Sequence, residues 1–161
     1  MKSIEIESIK SFTTQLFAGT AFDSFLAVEA SFSTAATFTI DGHVNEEFVG
    51  EEDMKRQDFQ EGIVRWRNLR PICYEIIKGK KVPQQFKVVL KTSAEQTAAF
   101  LTSSGSRYTA EQINGLFLNI NFRGNKLYCT TGTALKLFSM DKSLELLWDE
   151  YMTQFLRSFS A

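Results

Sequence analysis

INGLFLNINFRGNKLYCTT, residues 113–131, decides the fold class. Leu116, Leu118, Ile120 and Phe122 alternate with Phe117, Asn119, Asn121 and Arg123, the period of a strand with one buried face. Gly124-Asn125 supplies a two-residue hairpin turn, and Lys126 to Thr131 runs back as the partner strand. Cys129 falls inside that returning alternation as a small core residue, and Ala134 to Phe138 continues the sheet. An antiparallel sheet is therefore the frame to which the rest must attach.

Upstream of the hairpin, Phe86 to Leu90 reads as a strand. Ser93 caps a helix through Leu101 with Glu95 in its first turn, and Thr109 to Ile113 adds one further turn. Downstream, Asp141 caps a helix to about Phe159, whose buried stripe is Leu144, Leu147, Trp148, Tyr151, Met152 and Phe155. Near the start, Lys2 to Ile6 alternates like a short strand. Ile9, Phe12, Thr13, Leu16 and Phe17 recur at helical spacing before Gly19. Phe25 to Phe32 and Thr37 to Ile40 follow as strands, with Leu26, Val28, Ala30 and Phe32 on one face. In the middle, the spacing of Met54, Phe59, Ile63 and Trp66 predicts a helix over Asp53 to Arg67, and Pro71 opens a second one through Ile77, ended by Gly79.

The order strand-helix-strand-strand thus occurs twice. The expected fold is α+β in one domain, 1–161, with halves of about 1–45 and 85–139, a helical insert at about 51–79 and a terminal helix at about 141–159. Identity between the halves is negligible, so a true repeat and the chance recurrence of a common α+β unit both fit.

With 43% hydrophobic residues and 15 Phe among 21 aromatic side chains, the chain can bury a full core, which excludes intrinsic disorder. No apolar run approaches the roughly 20 residues of a membrane span. The segment MKSIEIESIK lacks the apolar block of a signal peptide, so a cytoplasmic setting is expected. Cys73 and Cys129, the only cysteines, both fall in apolar phases and read as buried free thiols. His43, the only histidine, follows the turn pair Asp41-Gly42 and is expected on an exposed loop. No clustered ligands for zinc, no phosphate-binding loop and no dinucleotide fingerprint occur, so no cofactor or metal is expected. The acids Glu46, Glu47, Glu51, Glu52 and Asp53 lack calcium-loop spacing and read as a solvated loop.

Charge is unevenly spread. Residues 1–54 hold ten acidic and two basic side chains, a net of −8; residues 55–91 hold ten basic and three acidic, a net of +7; the remainder is neutral. Arg65, Arg67 and Arg70 surround Trp66, and Lys78, Lys80 and Lys81 follow in KGKK. Guanidinium groups beside an aromatic can grip phosphates and stack a base. The alternative is a solvated helix whose Trp66 is core and whose cations pair with the acidic first third. The opposed blocks also suit self-association into a homo-oligomer.

Two resemblances add to this. FKVVLKTSAEQTAAFL (86–101) followed by INGLFLNINFRGNKLYCTTGTALKLF (113–138) resembles the repeating module of DNA sliding clamps, in which a strand, a helix and an antiparallel run of strands pair into a pseudo-symmetric subunit. That likeness implies DNA as a partner. The chain departs from the clamp pattern where clamps set their cations. The first helix has only Lys10 and the helix from Ser93 has no basic residue. Through LRPICYEIIKGKKVP (69–83), INGLFLN (113–119), TTGTALKLF (130–138) and DKSLELLWDE (141–150) the chain also resembles a small family of uncharacterised bacterial proteins, which implies no activity. The leading expectation is a non-catalytic, clamp-like binding protein that meets DNA or a protein through Arg65 to Lys81. A protein-protein assembly module without nucleic acid is the second. A metal-independent enzyme is the third, for which no residue pair stands out.

Overall fold

In the computed structural model, which describes residues 1–159, the hairpin forms where the alternation places it. The strands are β1 (Ser3–Ile6), β2 (Leu26–Ser33), β3 (Thr37–Asp41), β4 (Gln85–Lys91), β5 (Ile113–Arg123) and β6 (Lys126–Leu135). The helices are α1 (Ile9–Phe17), α2 (Glu46–Val49), α3 (Trp66–Ile77), α4 (Ala94–Ser104) and α5 (Ser143–Arg157). Gly124 and Asn125 turn β5 into β6 with φ of 60° and 61°, the left-handed pair that a tight hairpin requires. All six strands join one sheet of order β1-β6-β5-β4-β2-β3, and every pairing is antiparallel.

Register explains the core. Phe32, Phe86, Phe122, Leu127 and Ile6 line up across five strands, and Ala30, Val88, Ile120 and Cys129 form the next row. All of these are buried. Onto that face α1 sets Phe12 and Leu16, α3 sets Trp66 and Cys73, α4 sets Phe100, and α5 sets Trp148, Met152 and Leu156. Each such large apolar side chain contributes about 2 kcal/mol on leaving water. The opposite row, Lys87, Asn121, Tyr128 and Glu5, stays exposed, so the sheet is covered on one face and open on the other.

The strand-helix-strand-strand order does occur twice, but the units interleave. Strands β4, β5 and β6 are consecutive neighbours, whereas β1 lies beyond β6 and away from β2. The start of α4 follows expectation, with Ser93 and Gln96 forming a reciprocal cap, and the helix runs three residues past Leu101 to Ser104.

Four local expectations change. No helix runs over Asp53 to Arg67: a single 3-10 turn at Asp53–Lys55 is followed by irregular chain, and α3 starts at Trp66. Gly62, with φ 79°, turns the chain into an extended run. There the Val44 amide donates to the Gly62 carbonyl, Val64 to Gly42 and Ala27 to Val64. Those ladder bonds compete with helical ones and win because Trp66 must reach the core. Pro71 stands in the second turn of α3 rather than at a helix start, leaving the Arg67 carbonyl without its helical donor. In β2 a bulge between Ala27 and Glu29 breaks the simple alternation, and Leu26 and Ala27 are both buried. Gly42 packs against that bulge so closely that a Cβ there would lie 1.6 Å from the Ala27 carbonyl oxygen. Finally, β6 ends at Leu135, so Lys136 to Phe138 do not extend the sheet.

Cys73 and Cys129 are free and buried, and burial pushes both thiols up to about 12. Lys142, not Asp141, holds the N-cap position of α5; Asp141 stands one residue before it and accepts from the Ser143 amide at 2.9 Å and from Ser143 Oγ at 3.0 Å. Those bonds hold its carboxyl below the usual range. Among the described residues, no helix is long and apolar enough to cross a membrane.

Candidate functional site

The basic middle segment divides at the end of α3. Its arginines lie where other parts of the chain bring carboxylates. Arg65 is buried, donates from Nη1 to the Ser24 carbonyl at 3.0 Å, and places Nη2 3.5 Å from Glu61 and Nε 4.0 Å from Asp58. Glu61 in turn accepts from the Ala94 amide at 2.8 Å, which ties the irregular 53–62 chain to the start of α4. Arg67 also pairs with Asp58. Arg70 makes a two-pronged pair with Asp23, at 2.8 and 3.1 Å. Trp66 is fully buried and its indole donates to the Leu16 carbonyl at 2.8 Å, so its face is closed to any base.

The picture reverses only past Lys78. Lys78 pairs with Glu75, whose side chain holds the ammonium above its ordinary range. Lys80 and Lys81 are exposed and make no ion pair among the described residues. The register Gln85–Arg123–Lys126 brings this loop beside the β5–β6 turn, where Arg123 and Lys126 are likewise exposed. A cleft of about 590 Å³ lies here, lined by Val82, Pro83, Gln85, Arg123 and Asn125. Of the seven sequence-predicted residues, Lys80 and Lys81 alone reach this free cationic edge.

A second surface escaped sequence reading. Leu137, Phe138 and Met140, in the connection from β6 to α5, are 82%, 91% and 81% exposed. Their loop is anchored: Tyr108 Oη lies 3.1 Å from Ser139 Oγ, which accepts from the Asp141 amide, also at 3.1 Å. Clefts of about 400 and 430 Å³ flank Phe138. The apolar run itself is visible in the sequence, but it imitates a strand, and only the end of β6 at Leu135 shows it to be surface. The candidate imidazole is also surface: His43 Nδ1 lies 2.6 Å from Asp41 Oδ1 in an exposed turn. The His43 amide, foremost, holds the Asp41 carboxyl below its usual range.

No curated protein and no solved structure matches the chain. A family model does match, over residues 15–160, in keeping with the resemblance to an uncharacterised family. The chain belongs to that family, described as a family of unknown function (DUF5721).

Proposed function

We propose that this chain is a non-catalytic protein-interaction module whose contact surface is centred on Leu137, Phe138 and Met140. One observation carries the reading: three large apolar side chains stand more than four-fifths exposed on a loop that side-chain hydrogen bonds hold in place. An anchored apolar knob between two clefts loses little conformational freedom on docking. The buried free thiols of Cys73 and Cys129 support a reducing, cytoplasmic setting, and the family resemblance supports a bacterial source.

Nucleic acid is the second reading, favoured by the exposed cations Lys80, Lys81, Arg123 and Lys126, of which Arg123 lines the cleft. A clamp-like ring around DNA has less behind it, because α1 carries only Lys10 and α4 no basic residue. A photo-crosslinking residue at position 138 tests the first reading in cells. It should give discrete heavier adducts that the same residue at Asn121, on the open sheet face, does not. Equal adducts from both positions would sink it. Fluorescent duplex and single-stranded DNA across a salt series test the second: binding that weakens steeply with salt and vanishes in Lys80→Glu/Lys81→Glu would carry it.

A further inference from the structure

The exposed, unpaired parts of the two charge blocks lie at opposite ends of the sheet. At one end, where Ser33 pairs with Gln85 and Gln85 with Arg123, lies a cleft whose lining includes Val82, Pro83 and Arg123, and Lys80, Lys81 and Lys126 are exposed on the segments that flank it in sequence. At the other end, where Glu29 pairs with Asp41, the chain leaves β3 for an exposed acidic segment. Glu46, Glu47, Glu51, Glu52 and Asp53 there surround Phe48, which is 88% exposed. Among the described residues, only Asp53 of these five acids makes an ion pair, with Arg56 at 4.0 Å. Among the described residues no ion pair joins the acidic segment to these cations, so within one chain the two surfaces stay unmatched.

We infer that the chain self-associates by seating the Phe48 acidic segment of one copy in the cationic Val82–Pro83 cleft of another. The partner is a second copy because the same fold supplies both halves of the match. An exposed acidic segment that carries an aromatic matches an exposed cationic edge, and the cleft there, of about 590 Å³, accommodates a phenyl ring beside Val82 and Pro83. The contact joins unlike surfaces, so copies either close as a reciprocal pair or run head to tail, and the assembled mass distinguishes these. The inference rests on the interaction-module reading but uses neither Leu137 nor Phe138.

Sedimentation across protein concentration at low and high salt tests it with three variants of the full chain. The first carries Glu47→Lys, Phe48→Ala and Glu51→Lys. The second carries Lys80→Glu, Lys81→Glu and Arg123→Glu. The third carries Leu137→Ser and Phe138→Ser. All these positions are exposed, so the fold survives. Wild type should associate with concentration and lose mass in high salt. Each of the first two variants should shift the midpoint to roughly ten-fold higher concentration or abolish association, as several opposed charges and an anchor are lost together. Mixing them should restore association, because each supplies the surface that the other lacks. A wild type that stays monomeric throughout, or first and second variants that associate like wild type, would overturn the inference. If only the third variant loses association, the interaction-module reading stands and this one falls. If the second variant loses a fluorescent DNA probe while its mass is unchanged, the cleft belongs to nucleic acid.

Discussion

The two halves of the basic segment carry the same kind of charge and end in opposite circumstances. Arg65, Arg67 and Arg70 sit at the start of α3, against Asp23, Asp58 and Glu61, and spend their charge inside the molecule. Lys80 and Lys81 lie past the end of that helix, in the exposed loop that leads to β4, and make no ion pair among the described residues. A cation count along a sequence therefore says little about a binding surface until the carboxylates that the fold delivers to it are known. Residue type follows the same division: the planar guanidinium suits a held, partly buried pair, and the hydrated ammonium suits a free edge.

Substitutions on the α3 side should show their effect as lost stability. Trp66→Ala has the largest expected effect, about 4 kcal/mol in denaturant unfolding, because it empties a fully buried site and orphans the Leu16 carbonyl. A loss below about 1 kcal/mol would return Trp66 to the list of accessible aromatics and undo the division. Arg65→Ala follows at about 3 kcal/mol, since it removes a buried guanidinium that holds the Ser24 carbonyl and lies within 4.0 Å of Asp58 and Glu61. Arg65→Met should recover part of that by refilling the volume. Equal loss in both variants would mean that the charge, and not the packing of its stem, holds the segment.

The Asp23–Arg70 pair is weaker because both partners keep about a fifth of their surface in water. A double-mutant cycle with Asp23→Ala and Arg70→Ala should give a coupling of about 1 kcal/mol, and less at high salt. Zero coupling would make Arg70 as free as Lys80, and the contrast between the two halves would begin further back along α3.

That contrast could not have been read from residue order. The hairpin was legible because everything it needs is local: an alternating run, Gly124-Asn125, and an alternating return. The ion pairs were not, because Asp23 stands 47 residues from Arg70 and comes to it only through the packing of α3 against α1 and β2. Met54, Phe59 and Ile63 imitate a helical stripe, yet the Gly62 turn and the bonds to Gly42 and Val44 draw that chain into an extended run. The same limit hid the apolar loop, since Leu137 and Phe138 read as strand until the position of Leu135 as the last residue of β6 is known. Of the predicted site, the free lysines were legible as charge, and Arg123 and Lys126 joined them only through the register.

The smallest effect on stability belongs to Lys80→Ala with Lys81→Ala, and it is the most informative about function. Both ammonium groups stand in water with no partner to lose, so unfolding should move by no more than about 0.5 kcal/mol. If the free edge is a contact surface, the same double variant should flatten the salt dependence of association, because fewer opposed charges meet at the contact. A change in both stability and association would mean that the lysines support the fold as the arginines do. A change in neither would reduce the edge to solvated charge, and the apolar loop at Phe138 would remain as the surface by which this module meets its partner.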